Sequence, residues 1–447
     1  MKRDRMKKRP YQPPPPCRRG RPPRVTVTGT GDGPLERLDV VLLGASGFTG
    51  RYIAAELSAV AAQLGLRVGV AGRDTRRLRQ LLGSSVSSQV RMLHADISST
   101  VSLNRLCQRA AVLINATGPY HELGWPVVRA CLRAGTHYVD ICGERLFAER
   151  CQVELHDQAE RSGVYLVSTC GFDSIPAELG SVLLQRALPG GLSGFRCYLH
   201  MQPGAAGYRG VHFGTWLSSI HGTACVLPVL RLQRRLFPAP LPAARYPLRS
   251  RGLLHRAAPL GGRWCLPFLG PDVLVHQRSA AWRLRHRGTP PAQMQQYVAV
   301  AGLWRGLVIA LTAVLFGLLC FLPGGQWLLR AFPERLSAGL ISRRGPSSEQ
   351  VRQTRFTVVC EGEGWRQPDA AGPPDTRLTL RMQFPEAAYL TTALCVVQCA
   401  VCLLRETDRM PGRGGALPPG AAFGDTTLDQ RLQARGVQIS LESEQAH

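Results

Sequence analysis

Three glycines, Gly44, Gly47 and Gly50, stand three residues apart in the stretch Gly44-Ala45-Ser46-Gly47-Phe48-Thr49-Gly50. At a strand-to-helix bend, the first permits a tight turn, the second lets a phosphate approach the backbone, and the third lets strand and helix pack closely. Unpaired N–H groups at the helix start then face the phosphate charge. The stretch follows the apolar run Leu38–Leu43 and opens an amphipathic segment. In that setting the triplet, with Ser46, Phe48 and Thr49 between its glycines, reads as a dinucleotide pyrophosphate loop. Its spacing is G-x-x-G-x-x-G, a variant of the commoner G-x-G-x-x-G.

The end of the next strand selects the cofactor. An acidic residue there accepts from the ribose 2′-hydroxyl of NAD, but this chain has Ala71-Gly72-Arg73, with Arg76 and Arg77 one turn on. Guanidinium groups match a 2′-phosphate with charge-assisted, bidentate bonds, so NADP is expected over NAD. Asp74 could turn inward and reverse that preference. Asp96, after the third strand, is placed either to contact adenine or to cap the following helix.

Two further loops bracket the place where the nicotinamide should lie. Asn115-Ala116-Thr117-Gly118-Pro119-Tyr120 ends the fourth strand, and Gly171-Phe172-Asp173-Ser174 ends the sixth. Both fall on the carboxyl edge of the expected sheet, where Asn115, Thr117 and Gly118 would meet the nicotinamide ribose. Hydride transfer asks the protein to orient the ring and supply a proton donor. Tyr120, His121 and Asp173 are the polar candidates, with Tyr120 and Asp173 as the catalytic pair. Tyr120 could instead pack, and Asp173 could cap the helix that Pro176 opens.

These loops need a frame, and the pattern supplies one. Apolar strand-like runs at Leu38–Leu43, Leu66–Ala71, Val90–His94, Val112–Ala116, Tyr138–Ile141 and Val164–Ser168 alternate with helical segments. Six strands in series with helices imply an α/β fold, a doubly wound parallel sheet of the Rossmann type, over residues 38–175. From 176 to 385 the rhythm changes. Ile175–Arg186 reads as a helix, Phe195–Gln202 and Asp272–Gln277 look strand-like, and Arg377–Phe384 alternates apolar and polar residues as a half-buried antiparallel strand does. A second, α+β, largely antiparallel domain is expected there. Pro385–Arg405 reads as a long apolar helix returning to the first domain, with a tail to residue 447.

Gly306–Leu322 carries no charge, and the uncharged run extends to Leu329. Seventeen helical residues span only about 25 Å, short of a hydrocarbon core of about 30 Å. The turn residues Leu322-Pro323-Gly324-Gly325 then favour a hairpin or monotopic insertion at a membrane or lipid-droplet surface through residues 306–329. A buried core helix or a homodimer interface is the competing reading.

Composition narrows the chemistry further. Lys2, Lys7 and Lys8 are the only lysines, which excludes a Schiff-base lysine, a P-loop lysine and a Tyr-x-x-x-Lys pair in the body. The net charge is +25; ten Lys/Arg and one acid in residues 1–24 account for +9, leaving +16 elsewhere. Such a field favours anionic partners, and no motif for specific nucleic-acid reading accompanies it. Fourteen cysteines follow no disulfide framework, and Cys399-Ala400-Val401-Cys402 lacks a second pair or nearby histidine, so packing rather than metal binding is expected. Residues 1–37 are basic and proline-rich and read as a disordered tail. Its Arg-rich, acid-poor character leaves a mitochondrial address open, against which the proline run argues.

Taken in order, Gly44–Gly50, Ala71-Gly72-Arg73, Asn115–Tyr120, Tyr138-Val139-Asp140-Ile141-Cys142-Gly143-Glu144 and Gly171-Phe172-Asp173-Ser174-Ile175-Pro176 resemble the saccharopine dehydrogenase-like oxidoreductases. The likeness continues through Pro267-Phe268-Leu269-Gly270, Arg344-Gly345-Pro346 and Gly420-Ala421-Ala422-Phe423. It implies a Rossmann domain plus an α+β domain, a nicotinamide cofactor, and an intracellular role at lipid droplets or membranes or in complex-lipid synthesis. It does not imply saccharopine as substrate. The expected activity is NADP-dependent oxidoreduction of a lipid-like substrate; the alternative is a dinucleotide-binding scaffold without turnover.

Overall fold

Leu38, Val40, Val41, Leu42 and Leu43 are all buried, so the first strand presents apolar side chains to both faces of its sheet, as a central parallel strand must. The computed structural model describes residues 37–205, 211–268, 270–337, 339–370 and 372–445. The tail expected over residues 1–37 lies almost wholly outside the described residues. In chain order the first part comprises β1 (Leu38–Leu43), α1 (Phe48–Leu64), β2 (Val68–Gly72), α2 (Thr75–Leu82), β3 (Arg91–His94), α3 (Thr100–Gln108), β4 (Ala110–Asn115), α4 (Tyr120–Ala134), β5 (His137–Asp140), α5 (Arg145–Arg161), β6 (Tyr165–Val167) and α6 (Ile175–Ala187).

The second part follows with β7 (Leu192–Gln202), β8 (Val211–His212), α7 (Phe213–Ala224), α8 (Val226–Leu236), β9 (His255–Ala257), β10 (Arg263–Pro267), α9 (Asp272–Arg287), β11 (Gln293–Val300), α10 (Leu303–Phe321), α11 (Gly325–Ala331), α12 (Pro333–Leu336), β12 (Ile341–Ser342), α13 (Ser348–Gln353), β13 (Arg355–Gly364) and β14 (Thr376–Phe384). The chain closes with α14 (Thr392–Arg405), β15 (Gly415–Leu417), α15 (Pro419–Ala422), α16 (Leu428–Ala434) and β16 (Gln438–Gln445).

Two seven-stranded sheets organise these elements. The first runs β15-β6-β5-β4-β1-β2-β3, all parallel, with β1 between β2 and β4, so the chain reverses direction across the sheet beside the glycine turn. In such sheets the ligand crevice opens at that switch point. The second runs β16-β14-β13-β7-β11-β10-β9 and is antiparallel except where β11 pairs β7. β8 and β12 form a small separate pair.

Helix α14 is completely enclosed from Thr392 to Leu403 and packs on α1 and the strands β4 and β5, as the apolar pattern of Pro385–Arg405 suggested. Its entry is a π-turn, Ala387–Thr391, capped by Glu386, whose carboxylate accepts the N–H groups of Ala388, Tyr389 and Leu390. Cys395, Cys399 and Cys402 lie buried on this helix, and burial pushes the Cys402 thiol up to about 12. Neutral thiols of this kind pack as small apolar groups.

Two expectations need correction. Asp272–Gln277 is the start of helix α9, not a strand. Its run Val273-Leu274-Val275 mimics a strand, but the acid in the first turn, the Arg285-His286-Arg287 end and the left-handed Gly288 cap are helix signals. Residues after α14 are also no tail: β15 extends the first sheet and β16 forms an edge of the second.

Helix α10 stands out on the surface. Trp304, Leu307, Leu311, Val314, Leu318 and Phe321 are exposed along it, and only 11% of its most apolar window is buried. Pro323 and Gly324, the latter at φ 74°, reverse the chain into α11, which packs back on α10. Underneath, Trp216 of α7 contacts Phe316 and donates its indole N–H to the Leu329 carbonyl at 2.9 Å. Among the described residues, α10 and the enclosed segment Ala387–Arg405 are each long and apolar enough to cross a membrane, and the bent pair Phe213–Ala224 with Pro228–Leu236 passes the same test together.

Candidate active site

The β1–α1 turn is built by contact. Gly44 has φ +92°, and a Cβ there would lie 2.7 Å from the Thr117 methyl and 2.8 Å from the Ala116 carbonyl carbon, so the loops after β1 and β4 touch. A Cβ on Gly50 would lie 2.1 Å from the Gly44 carbonyl oxygen. Gly47 closes the turn by donating its N–H to that oxygen at 3.0 Å, and the first helical bond runs from Arg51 to Gly47. The N–H groups of Phe48, Thr49 and Gly50 therefore precede the α1 ladder. No side chain caps them and the first turn holds no acid. Ser46 and Gly47 are exposed beside them. These groups fit a pyrophosphate.

Phe48 turns its ring the other way. It stacks on His212 at 4.9 Å and meets Tyr389 edge-on at 4.7 Å, and a Cβ on Gly345 would lie 2.8 Å from it. The ring thus ties the phosphate loop to segments of the second part.

On the adenosine side, Arg73 is exposed at the end of β2. Asp74 does not turn inward; it caps α2, accepting the Arg77 N–H at 2.9 Å. With Asp74 committed, the guanidinium is the charged group at the position that reads the ribose. Asp96 accepts from the Ser98 hydroxyl and N–H, and these bonds hold its carboxyl below the usual range. The cap of α3 is Ser99, so Asp96 forms the turn before that helix.

Around the nicotinamide position, Asn115 is buried. Its amide donates to the Tyr138 hydroxyl at 3.1 Å, while its side-chain oxygen accepts the Thr117 N–H at 3.1 Å and the Thr117 hydroxyl. Gly118 is exposed next to them. Tyr120 is buried and donates its hydroxyl to the Asn115 carbonyl at 2.9 Å; desolvation drives its pKa well up. That hydroxyl braces the loop and has no proton free for a substrate.

Asp173 sits differently. No side chain caps α6, so Asp173 is not its cap. Desolvation raises its carboxyl to about 6, and a Cβ on Gly143 would lie 3.5 Å from its Oδ2. It stands between the Ile141–Glu144 loop and the second part, from which Asp272 approaches. Burial first, then the charge of Asp173, pushes Asp272 well above the ordinary range. A carboxyl poised near neutral pH can hold or release a proton.

Sequence reasoning missed what organises this edge. Asp140, buried, accepts the N–H groups of Cys142 and Thr169 at 2.9 Å and the Ser168 hydroxyl at 2.8 Å, joining the loops after β5 and β6. Glu144, also buried, accepts the Tyr120 and His121 N–H groups and the Ser218 hydroxyl. Both lie in the quoted motif Tyr138–Glu144; their roles depend on partners up to 74 residues away.

The comparisons with known proteins agree with this geometry. Residues 40–167 match the family model of the saccharopine dehydrogenase NADP binding domain. A saccharopine dehydrogenase-like oxidoreductase from Rattus norvegicus is 33% identical over 418 residues, covering 90% of this chain and 97% of that one. The chain belongs to the saccharopine dehydrogenase-like oxidoreductases. A family relative from Caenorhabditis elegans, the lipid droplet localized protein, is 31% identical over 92% of this chain and 99% of its own. Saccharopine dehydrogenase (L-Glu forming) from Saccharomyces cerevisiae superposes with TM-score 0.52 at 14% identity, over 91% of this chain and 100% of that one, which shows the shared fold. In this saccharopine dehydrogenase-like oxidoreductase the first domain is an NADP-binding domain, and NADP is the cofactor.

Proposed function

We propose that the chain is an NADP-dependent oxidoreductase that works at a lipid surface, most simply a lipid droplet, and reduces a carbonyl or activated alkene in a lipid-like substrate. The observation that carries the reading is α10: an apolar helix left exposed on the same body as the dinucleotide crevice, followed by a tight reversal rather than a second span. A helix of this kind buries its side chains in an acyl layer while the rest of the body remains outside. The name of the worm relative points the same way.

NADPH, when bound, supplies the hydride. Gly44, Ser46, Gly47, Phe48, Thr49 and Gly50 would hold the pyrophosphate, Arg73 the 2′-phosphate, with Asp96 at the adenosine end and Asn115, Thr117 and Gly118 along the nicotinamide ribose. Asp173 supplies the proton that the reduced oxygen or carbon requires, and Tyr120 braces the loop on which the ring rests.

Full-length protein with NADPH and lipid extracts dispersed in detergent should consume NADPH only when a lipid fraction is present. Inactivity across all classes would favour the scaffold reading, which gains from the commitment of the Tyr120 hydroxyl to Asn115. Asp173→Asn with intact NADPH binding discriminates: failure to replace the wild-type chain in cells that lack it supports the enzyme, and full replacement supports the scaffold.

A further inference from the structure

His121 in the first turn of α4 and His221 on α7 meet at the Glu144 end of α4. Their Nδ1 atoms are 3.0 Å apart and their rings cross at 74° with centroids 4.0 Å apart. Two ring nitrogens in contact can share one proton or one cation, not a proton each. Their other neighbours decide between these. His221 Nε2 lies 2.7 Å from a guanidinium nitrogen of Arg330, which can only donate, so the neutral ring carries its proton on Nδ1, aimed at His121. His121 Nδ1 is at the same time 2.9 Å from Glu144 Oε2, a carboxylate oxygen with no proton to give. No placement of protons on the two neutral rings satisfies all three contacts. A cation that accepts one lone pair from each ring relieves the contact between the two Nδ1 atoms.

We propose that His121, His221 and Glu122 form a binding site for a divalent transition-metal ion of the zinc class. The ligand atoms of the three lie within 4.8 Å of one another; with Nδ1 on the ion, His121 Nε2–H faces Glu122 Oε1 at 3.3 Å until that exposed carboxylate swings to the ion. Two nitrogens on a tetrahedral zinc, each at 2.0–2.1 Å, stand about 3.3 Å apart, so the observed separation need open by only a few tenths of an ångström. Imidazole with carboxylate selects zinc, copper or nickel over magnesium or calcium. The ion would clamp α7, which supports the exposed helix α10, to the first turn of α4 beside the nicotinamide loop.

Coordination through Nδ1 moves the His221 proton to Nε2, where it meets Arg330. The exposed Arg330 side chain must then turn away. Metal affinity is thus opposed by that arginine, a signature that a purely structural histidine pair would lack.

Full-length, tag-free chain is titrated with Zn2+ against a chromogenic chelator, and with Co2+ to read its visible bands, while NADPH affinity is followed for every variant as the check of fold. One equivalent is expected to bind with tetrahedral-type cobalt absorption. His121→Gln and His221→Gln should each weaken zinc at least tenfold. Arg330→Gln, whose amide oxygen can accept from Nε2–H, should tighten it several-fold. Zinc binding that is absent, equal in wild type and both histidine variants, or weakened by Arg330→Gln overturns the site. If His121→Gln loses NADPH binding, the His221 and Arg330 variants decide. None of these readouts requires turnover, so failure here leaves the lipid-surface reading intact.

Discussion

Glu144 caps Tyr120 from 24 residues away: its Oε1 accepts the Tyr120 N–H at 2.9 Å, while Oε2 takes the next one, from His121, at the same distance. The first turn of α4 is thereby pinned to the loop after β5. In Glu144→Gln one oxygen becomes an NH2 group, leaving one of the two N–H groups facing a donor. A buried donor without a partner costs about 1–3 kcal/mol. Urea denaturation should show a loss in that range; an unchanged midpoint would contradict the capping role.

Arg73 is expected to discriminate cofactors. Arg73→Ala should weaken NADPH by roughly tenfold or more, the value of a charge-assisted bond, and leave NADH nearly unchanged. Equal weakening of both, measured by fluorescence titration, would remove the 2′-phosphate contact.

Gly50 has no room for a methyl group. Its Cβ would sit 2.1 Å from the Gly44 carbonyl oxygen, which is backbone and cannot swing aside. Gly50→Ala should abolish NADPH binding by prising open the β1–α1 turn, whereas Gly65→Ala, where a Cβ meets nothing within 4 Å, should retain it despite the strain of φ +65°. Dinucleotide affinity of the pair checks this.

Asp173 has a pH signature. Its carboxyl titrates at about 6 in the fold against an ordinary 3.8. Between those values the folded chain holds a proton that the unfolded chain has released, so this group's contribution to stability falls as pH rises through the window and stays flat above it. Asp173→Asn, neutral throughout, should raise Tm at pH 7.5 by about 2 °C or more, with little gain near pH 4. Turnover should be lost in the same variant. A Tm gain independent of pH would show that desolvation of the charge is not the cause.

Leu311 and Leu318, 71% and 59% exposed on α10, contribute little to folding as the chain stands. Replacing both by Ser should leave Tm within error of wild type. Each leucine buried in an acyl layer contributes about 1.5–3 kcal/mol, so binding to phosphatidylcholine vesicles should fall at least tenfold. Unchanged flotation would remove α10 from the lipid contact.

How far the sequence alone reaches can be judged element by element. The glycine turn and Arg73 are local signals, and the fold places them as their spacing implies. Helix α4 begins at Tyr120, directly after Pro119 and with Pro126 inside it, and its first turn depends on the distant Glu144 carboxylate, which no local pattern reports. Helix α9 hid for the opposite reason. It is enclosed on several sides, burying Asp272, His276, Arg278, Ser279 and Arg283, so no polar stripe marks its period. The meeting of His121 with His221 joins residues 100 positions apart, and no spacing rule reports such a pair.

The last strands carry one further consequence. β15 pairs with β6, some 250 residues upstream, and β16 with β14, so each sheet ends in a strand supplied by the final stretch of chain. Neither sheet is complete while that stretch is still inside the ribosome. The dinucleotide crevice can form early, but the whole body closes only once β15 and β16 have been made and have joined their sheets, with α10 and the unfinished sheet edges uncovered in the meantime. Attachment to a lipid surface during synthesis would cover the first of these, while the sheet edges would still wait for β15 and β16.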